Sequence, residues 1–433
     1  MALGLLIAFM GYFNRLSSRN RTKGSIKRSA RNAFIPSELE NIDETSVDAP
    51  NDADRELDIE VLRAVQYILD QARRDKNDWT DFTIIDQFQT AALRYQLYEI
   101  IYVLGIYQGI YTPNFHGYLS AAVRQTIEKS LTPKVLGFWK WETLWGKFQT
   151  DFDPIKEDNI MVSGWILQGL MLYIANTGDM RYTKPGSLKF QVSEKAQYDY
   201  DVHSIVDALV RQWTENPYCL FPCEPNWIYT PCNLYGITGQ ALYDRVFGTT
   251  HTKKLLPIFE ESLDANFTEQ DGSIIPIRSE LTGFTIPGLC GALTDLVNAL
   301  LCRGHLDHVA RRMWAIFRHE CVRFNEKGEV ELEGLVGADK MDPGSYKPSP
   351  FAIYSHVAYV AGEYGDEKTR KSAIRILHKN IGTRTTETGA VALKKEGASF
   401  SVNTGLARAH LLRNGDWKNL VTKVCYSFTP AFM

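Results

Sequence analysis

From residue 59 onward, apolar positions recur at spacings of three and four rather than two. Ile59, Leu62, Val65, Ile68, Leu69 and Ala72 make one such stripe, with Asp58 placed to cap its first turn. Leu93, Leu97, Ile100 and Leu104 make a second, inside a helix predicted over about 90–110. The same spacing predicts helices at about 115–131, 159–177, 201–214, 234–247, 252–264, 288–302, 304–322, 350–363, 366–379 and 402–413. Turn-forming runs such as Pro113-Asn114, Asp342-Pro343-Gly344 and Asn414-Gly415 separate them. Strand-like runs are few and short, Ser273–Ile277 being the clearest, and no sequence repeat of fixed period is present. Twelve helices in about 375 residues predict an all-α fold. Its form is antiparallel pairs closed into one helical toroid, with long loops at one end.

The chain starts differently. Residues 1–37 contain no Asp or Glu but carry Arg15, Arg19, Arg21, Lys23, Lys27, Arg28 and Arg31, behind an apolar stretch from Met1 to Phe13. Thirteen helical residues span about 20 Å, short of the roughly 30 Å hydrocarbon core of a bilayer. A secretory signal would carry its positive charge first. Three readings stay open: an interfacial anchor with a basic flank on anionic lipid, a mitochondrial presequence, or no targeting role. Residues 38–58 turn acidic, with Pro36 and Pro50 nearby, and read as a linker. The expected organisation is an anchor or targeting segment over 1–37, a linker over 38–58, and a single domain over 59–433. The expected location is membrane-associated or cytoplasmic, with peripheral membrane contact through residues 1–31.

Composition narrows the classes. With 44% hydrophobic residues in 433, the chain can bury a sizeable core and is not a disordered one. Forty-eight basic against 51 acidic residues leave a net charge of −3, without the global footprint of a nucleic-acid binder. Seven cysteines, an odd number in a long chain, argue for reduced thiols rather than a disulfide framework.

Chemistry concentrates in one segment, Cys219-Leu-Phe-Pro-Cys223-Glu224-Pro225-Asn226-Trp227-Ile-Tyr229-Thr-Pro231-Cys232-Asn233. Its prolines and asparagines predict an ordered loop. The bland alternative makes both cysteines small buried hydrophobes, and Cys-x8-Cys lacks the tight pair spacing of a zinc site. Cys223-Glu224-Pro225 followed by Cys232-Asn233 resembles the two-cysteine motif of the linalool dehydratase-isomerase family. Asp153-Pro154-Ile155, Asn159-Ile160-Met161 and Gly164 match that family upstream, and Arg94-Tyr95, Pro185-Gly186-Ser187-Leu188 and Tyr243-Asp244-Arg245 are also similar to it. The resemblance covers about 80–265. It implies an (α/α)6 barrel, a ring-shaped homo-oligomer with sites near subunit contacts, and loss and migration of water in small terpenoid alkenols without metal or cofactor. It also implies that Cys223 and Cys232 are active-site cysteines, Met161 a pocket methionine and Tyr95 a pocket tyrosine.

The chain departs from the family where the motif places a histidine: that residue is Trp165. An indole is no general base, but its face stabilises a cation within about 6 Å. Asp70, Asp81 and Asp86 all precede Tyr95, none at the spacing of the family's aspartate. Read from the residues, acid-initiated carbocation chemistry needs a carboxylic acid of raised pKa. Asp86 is the first choice, because Thr83, Ile84, Ile85 and Phe88 would desolvate it; Glu224 is the second. A thiolate of Cys223 or Cys232 would then remove a proton. Tyr95, Tyr98 and Tyr102 share one helix face beside Glu99, and Trp139, Trp141 and Trp145 follow in the next loop. With Trp165, Met161, Trp227 and Tyr229 they would line a pocket for a small hydrophobic substrate.

Cys302, His305, His308, His319 and Cys321 read like zinc ligands, but their helical spacing rotates them apart. The reading is thus a lyase or isomerase (dehydratase, isomerase or cyclase) on a terpenoid or related hydroxylated or olefinic molecule. The alternatives are a carbohydrate-active (α/α)6 enzyme, whose mouth would hold two opposed carboxylates, and a non-catalytic lipid-binding scaffold.

Overall fold

A computed structural model describes residues 2–46, 55–286 and 288–423. Helix α1 (Ala2–Ser46) is followed by α2 (Ile59–Ala72), α3 (Leu93–Tyr111), α4 (Gly117–Ser130), α5 (Pro133–Leu136) and α6 (Phe138–Gly146). Then come α7 (Ile160–Thr177), α8 (Val202–Glu215), α9 (Thr230–Phe247), α10 (His251–Asn266) and α11 (Ala292–Leu301). The series ends with α12 (Asp307–Cys321), α13 (Phe351–Glu363), α14 (Glu367–Ile381), α15 (Phe400–Leu411) and α16 (Asp416–Thr422).

Among the described residues, α3, α7, α9, α11, α13 and α15 form an inner ring: each packs on the next, and α15 closes on α3. Helices α2, α4, α8, α10, α12 and α14 alternate with them on the outside. This is an (α/α)6 barrel. Strict alternation makes the six inner helices parallel, so their N-termini gather at one end, the mouth. Burial follows the layers. Inner helix α7 is buried on nearly every side, whereas outer helix α2 buries one stripe, including Val61, Val65 and Ile68. Asp58 caps α2 as its position suggests, its carboxylate accepting the Val61 N–H at 2.9 Å.

Two glycines bring α7 and α9 together. A Cβ on Gly164 would lie 3.0 Å from the Gly236 Cα, and one on Gly239 2.7 Å from the Gln168 nitrogen. Only hydrogen at these positions lets the two backbones touch, which sets Met161 and Trp165 opposite Cys232 and Tyr235.

Each predicted helix coincides with an observed one, but three local expectations need correction. The strand is Ile277–Ser279 (β2 below), not Ser273–Ile277. It pairs antiparallel with β1 (Trp227–Tyr229), Trp227 opposite Ser279. Trp139, Trp141 and Trp145 lie on α6 rather than in a loop; nine aromatic-rich residues are too few to show a repeat. The acidic segment is helical through Ser46 instead of a linker, and residues 47–54 lie outside the described ones.

Nor is the basic segment a free flank throughout. Helix α1 runs antiparallel along α12. Asp43 pairs with Arg311 at 2.7 Å, Phe34 stacks on His319 at 3.7 Å, and Ile42 is buried. Arg31, only 2% exposed, forks onto Glu320 at 2.6 and 2.8 Å and reaches Ser273 Oγ at 2.7 Å. Lys27 pairs with Asp271 at 3.0 Å. A buried bidentate arginine of this kind fixes register between packed elements.

The zinc-like list is dispersed. His308 pairs with Glu260, His319 with Glu38 and Phe34, and His305 is neutral, burial pushing it down to about 4. Among the described residues no three His, Cys, Asp or Glu side chains converge as metal ligands. The six described cysteines are free.

Candidate active site

Three inner helices deliver the site in their first turns: Arg94 and Tyr95 from α3, Met161 from α7, and Cys232 from α9. The loop 216–229 closes over them. Asn233, fully buried, holds that loop with every polar atom it has: its oxygen accepts from Trp213 Nε1 and the Phe221 N–H, and its amide donates to the Phe221 and Tyr229 carbonyls at 3.0 Å. The Asn159 N–H donates to the Cys223 carbonyl at 3.0 Å, tying the loop to the start of α7. The Cys223 N–H donates to the Trp227 carbonyl at 2.8 Å, and the Trp227 N–H closes the turn on the Glu224 carbonyl at 2.9 Å. Asn226 takes the left-handed conformation at the turn, φ 78°.

Cys223, Cys232, Glu224, Tyr95 and Tyr229 are electrostatic neighbours of one another. Cys223 is 1% exposed and hydrogen-bonds Cys232. Burial, then Cys232 and Glu224, push the Cys223 thiol well above its usual range. It is a neutral thiol at neutral pH, so the expectation that it serves as a thiolate base is corrected: burial and the neighbouring Glu224 both disfavour an ionised sulfur. Burial likewise raises the phenols of Tyr95 and Tyr229. Glu224, 9% exposed, is pushed up to about 7 by burial, with Arg94 and its own backbone N–H opposing and the charge of Glu142 adding a smaller rise. Its Oε2 has no protein hydrogen-bond partner among the described residues.

Arg94 braces this cluster. Completely buried, it donates to the carbonyls of Gln87 and Phe88, the latter at 2.6 Å, and to Met161 Sδ at 3.3 Å. Its guanidinium lies 4.5 Å from the Tyr95 ring centroid and 4.0 Å from that of Phe138. The Tyr95 hydroxyl also meets Met161 Sδ, at 3.5 Å.

Trp165 stacks on Tyr235 at 3.6 Å and meets Tyr95 edge-on at 4.9 Å. Tyr98 and Tyr102 lie 6.2 and 6.1 Å from it, and the Tyr102 hydroxyl donates to the Trp165 carbonyl at 2.7 Å. The Trp165 Nε1 has no protein partner among the described residues. Deeper still, Glu99 and Arg408 form a buried ion pair, with Arg408 5.5 Å from the Tyr102 ring.

Asp86 stands apart from this group. Burial would raise its pKa, but the Gln89 N–H, the Tyr346 hydroxyl and the Phe88 N–H together hold it below the usual carboxylate range. Those bonds are 2.9, 2.7 and 2.7 Å. The expectation of a desolvated acid is therefore corrected, since Ile84, Ile85 and Phe88 point outward and are exposed. Asp81 is bound to Arg74, Arg384 and Lys395, and Asp70 to Thr388. Sequence reasoning missed Glu142, Arg94 as a brace, and Tyr235; the last shares a helix face with Cys232 at i, i+3, a signal that was there to read.

The family model for linalool dehydratase/isomerase matches residues 94–399. The chain belongs to that family. In this chain Gly164 is the contact with α9, Asn233 the clamp on the cysteine loop, and Trp165, one residue past Gly164, the indole stacked on Tyr235. No curated protein sequence matches the chain. Similar solved structures include an unsaturated glucuronyl hydrolase specific for heparin, at 10% identity, covering 84% of this chain and 98% of that one with a TM-score of 0.49. The Lin0763 protein from Listeria innocua shows 12% identity over 81% and 95% of the two chains, TM-score 0.49. The unsaturated glucuronyl hydrolase from Bacillus sp. GL1 shows 11% identity over 86% and 98%, TM-score 0.47.

Proposed function

We propose that this member of the family is a lyase or isomerase that opens its reaction by protonating a hydroxylated or olefinic terpenoid, with Glu224 as the acid. Family membership supports the reaction class. The observation that carries the acid is Glu224 itself: a buried carboxyl with one oxygen unpartnered, titrating near neutrality among neutral phenols and a neutral thiol. General acids work best with a pKa near the working pH.

Protonation of an allylic hydroxyl lets water leave, and positive charge develops on carbon. Trp165 and Tyr95 supply aromatic surface beside that charge. The Glu224 carboxylate left behind is the base for the returning proton, and Cys232, hydrogen-bonded to the Cys223 thiol, lies among its electrostatic neighbours. Trp165 cannot do what a histidine would, so proton traffic falls to Glu224. The test is to incubate the purified chain with mono- and sesquiterpene alcohols and follow products by gas chromatography. Turnover by the wild type and its loss in Glu224→Gln support the reading; undiminished turnover in that variant overturns it.

One observation favours a second reading. Glu224 feels the charge of Glu142 at the mouth, which sets a second carboxylate near it as in the acid and base pair of a carbohydrate-active enzyme. Release of reducing sugar from an oligosaccharide, abolished by Glu142→Gln, would decide for it.

A further inference from the structure

We infer that the mouth of the barrel docks on an anionic lipid bilayer, with α1 as its anchor. Two observations from different parts of the chain point the same way.

The first is the direction of α1. Its contacts climb along α12 from Arg311, near the start of that helix, through His319 and Glu320 near its end, to Asp271 in the loop after α10. Outer helices run toward the mouth, so α1, antiparallel to α12, approaches the mouth as it is followed back to its N-terminus. It leaves the barrel at Gly24, where a Cβ would come within 2.7 Å of Gln270 Cβ. The 22 residues from Ala2 to Lys23 continue as helix, about 33 Å at about 1.5 Å per residue. This extension carries exposed Arg19, Arg21 and Lys23 next to the barrel, and in sequence the apolar stretch ending at Phe13 precedes them.

The second observation is the rim. Trp141 (48% exposed), Trp145 (69%) and Phe148 (84%) stand on α6 and just after it, and Leu281 (82%) and Phe284 (58%) on the loop between β2 and α11. Both segments belong to the mouth: Gly146 packs on Pro225 of the cysteine loop, and the Leu281 N–H donates to Asn226 at 3.0 Å. Exposed apolar side chains gathered at one rim mark an interaction surface, and Trp is a side chain of the membrane interface.

The dimensions agree with a bilayer. Thirteen apolar residues reach about 20 Å, into but not through a hydrocarbon core of about 30 Å. The basic residues between them and the rim then fall at the phosphate level, where each Lys or Arg near an anionic surface contributes about 1 kcal/mol, roughly a fivefold gain in binding. A mouth held there would admit an apolar substrate directly from the lipid, a consequence that rests on the function proposed above; the docking does not.

The experiment uses the full chain and vesicles of phosphatidylcholine with phosphatidylserine, prepared with and without brominated acyl chains. The chain should sediment with the vesicles, and brominated lipid should quench its tryptophan fluorescence. Trp141→Phe with Trp145→Phe should still sediment but lose most of that quenching, because the other tryptophans are buried or half-buried. Arg19→Glu, Arg21→Glu and Lys23→Glu together should weaken binding to the anionic vesicles at least tenfold and leave that to pure phosphatidylcholine unchanged. Sedimentation without quenching would mean that α1 tethers the protein with the mouth turned elsewhere, and overturns the proposal. So would failure to bind vesicles, including the case where light scattering finds the rim covered by a second copy of the chain. None of these readouts depends on turnover.

Discussion

The loops leading into α3 and α9 each bring one carboxylate to the mouth and treat it in opposite ways. Asp86 turns back on its own loop and collects two backbone N–H groups and the Tyr346 hydroxyl. Glu224 sits in a turn whose Trp227 N–H is spent on the Glu224 carbonyl, so only its own backbone N–H reaches its side chain, and burial outweighs that one donor. The first carboxylate is stabilised in its charged form and organises structure; the second is stabilised in its neutral form and is equipped to give up a proton. Apolar neighbours in sequence do not decide this. Donors do.

The largest effect that sharpens the contrast is Glu224→Gln. Removing a general acid should lower kcat by roughly 10²–10⁴-fold, and the same change should stabilise the fold at high pH. Glu224 has a folded pKa raised to about 7, against an ordinary 4.5. Its neutral form is therefore favoured by folding: that contribution is fully present below about pH 4.5 and lost as pH rises through about 7. Above pH 7 the buried charge costs about 3 kcal/mol. Denaturant unfolding at pH 8 should then find Glu224→Gln more stable than wild type, while at pH 4 the two should agree.

Cys223→Ala comes next. If the thiol orients Cys232 at the reacting group, turnover should fall at least tenfold with the circular dichroism spectrum unchanged; a fully active double variant with Cys232→Ala would remove both thiols from the mechanism. Trp165→Phe keeps an aromatic face at a loss of about 1 kcal/mol, roughly fivefold in rate. Trp165→Ala should lose more and shift products toward water-quenched ones, and an unchanged product distribution would leave the indole as packing against Tyr235. Glu142→Gln should act through charge alone. Because Glu142 raises Glu224, its loss should move the alkaline limb of the pH–rate profile to lower pH, with kcat at the optimum little altered.

Asp86→Asn should have the smallest effect on rate, within about threefold. Its consequence should be structural, about 1 kcal/mol of stability for weakened bonds to Phe88, Gln89 and Tyr346. A collapse of turnover here with the fold intact would break the contrast between the two loops.

The barrel was legible because its inner helices repeat apolar positions over three or more turns, as Leu93, Leu97, Ile100 and Leu104 do, all of them buried. The cysteine loop was legible through its composition and the family motif. The choice between Asp86 and Glu224 was not, since it depends on Tyr346, some 260 residues away in the chain, and on which backbone donors a turn leaves free. Glu142 escaped because α6 is a short aromatic helix in which one acid carries no pattern. The docking of α1 escaped for a related reason: Arg31 reads as one basic residue among seven, and only Glu320 and Asp271 on the folded barrel turn it into a buried fork.

The claim that Glu224 is a protonated acid at working pH is tested most directly by infrared titration of its carboxyl group, as the difference between wild type and Glu224→Gln. The structure predicts a carboxylic-acid carbonyl band in the wild type that persists through about pH 6, disappears around pH 7 and is missing from the variant. A band already lost by about pH 5, as for an ordinary glutamate, would contradict the account.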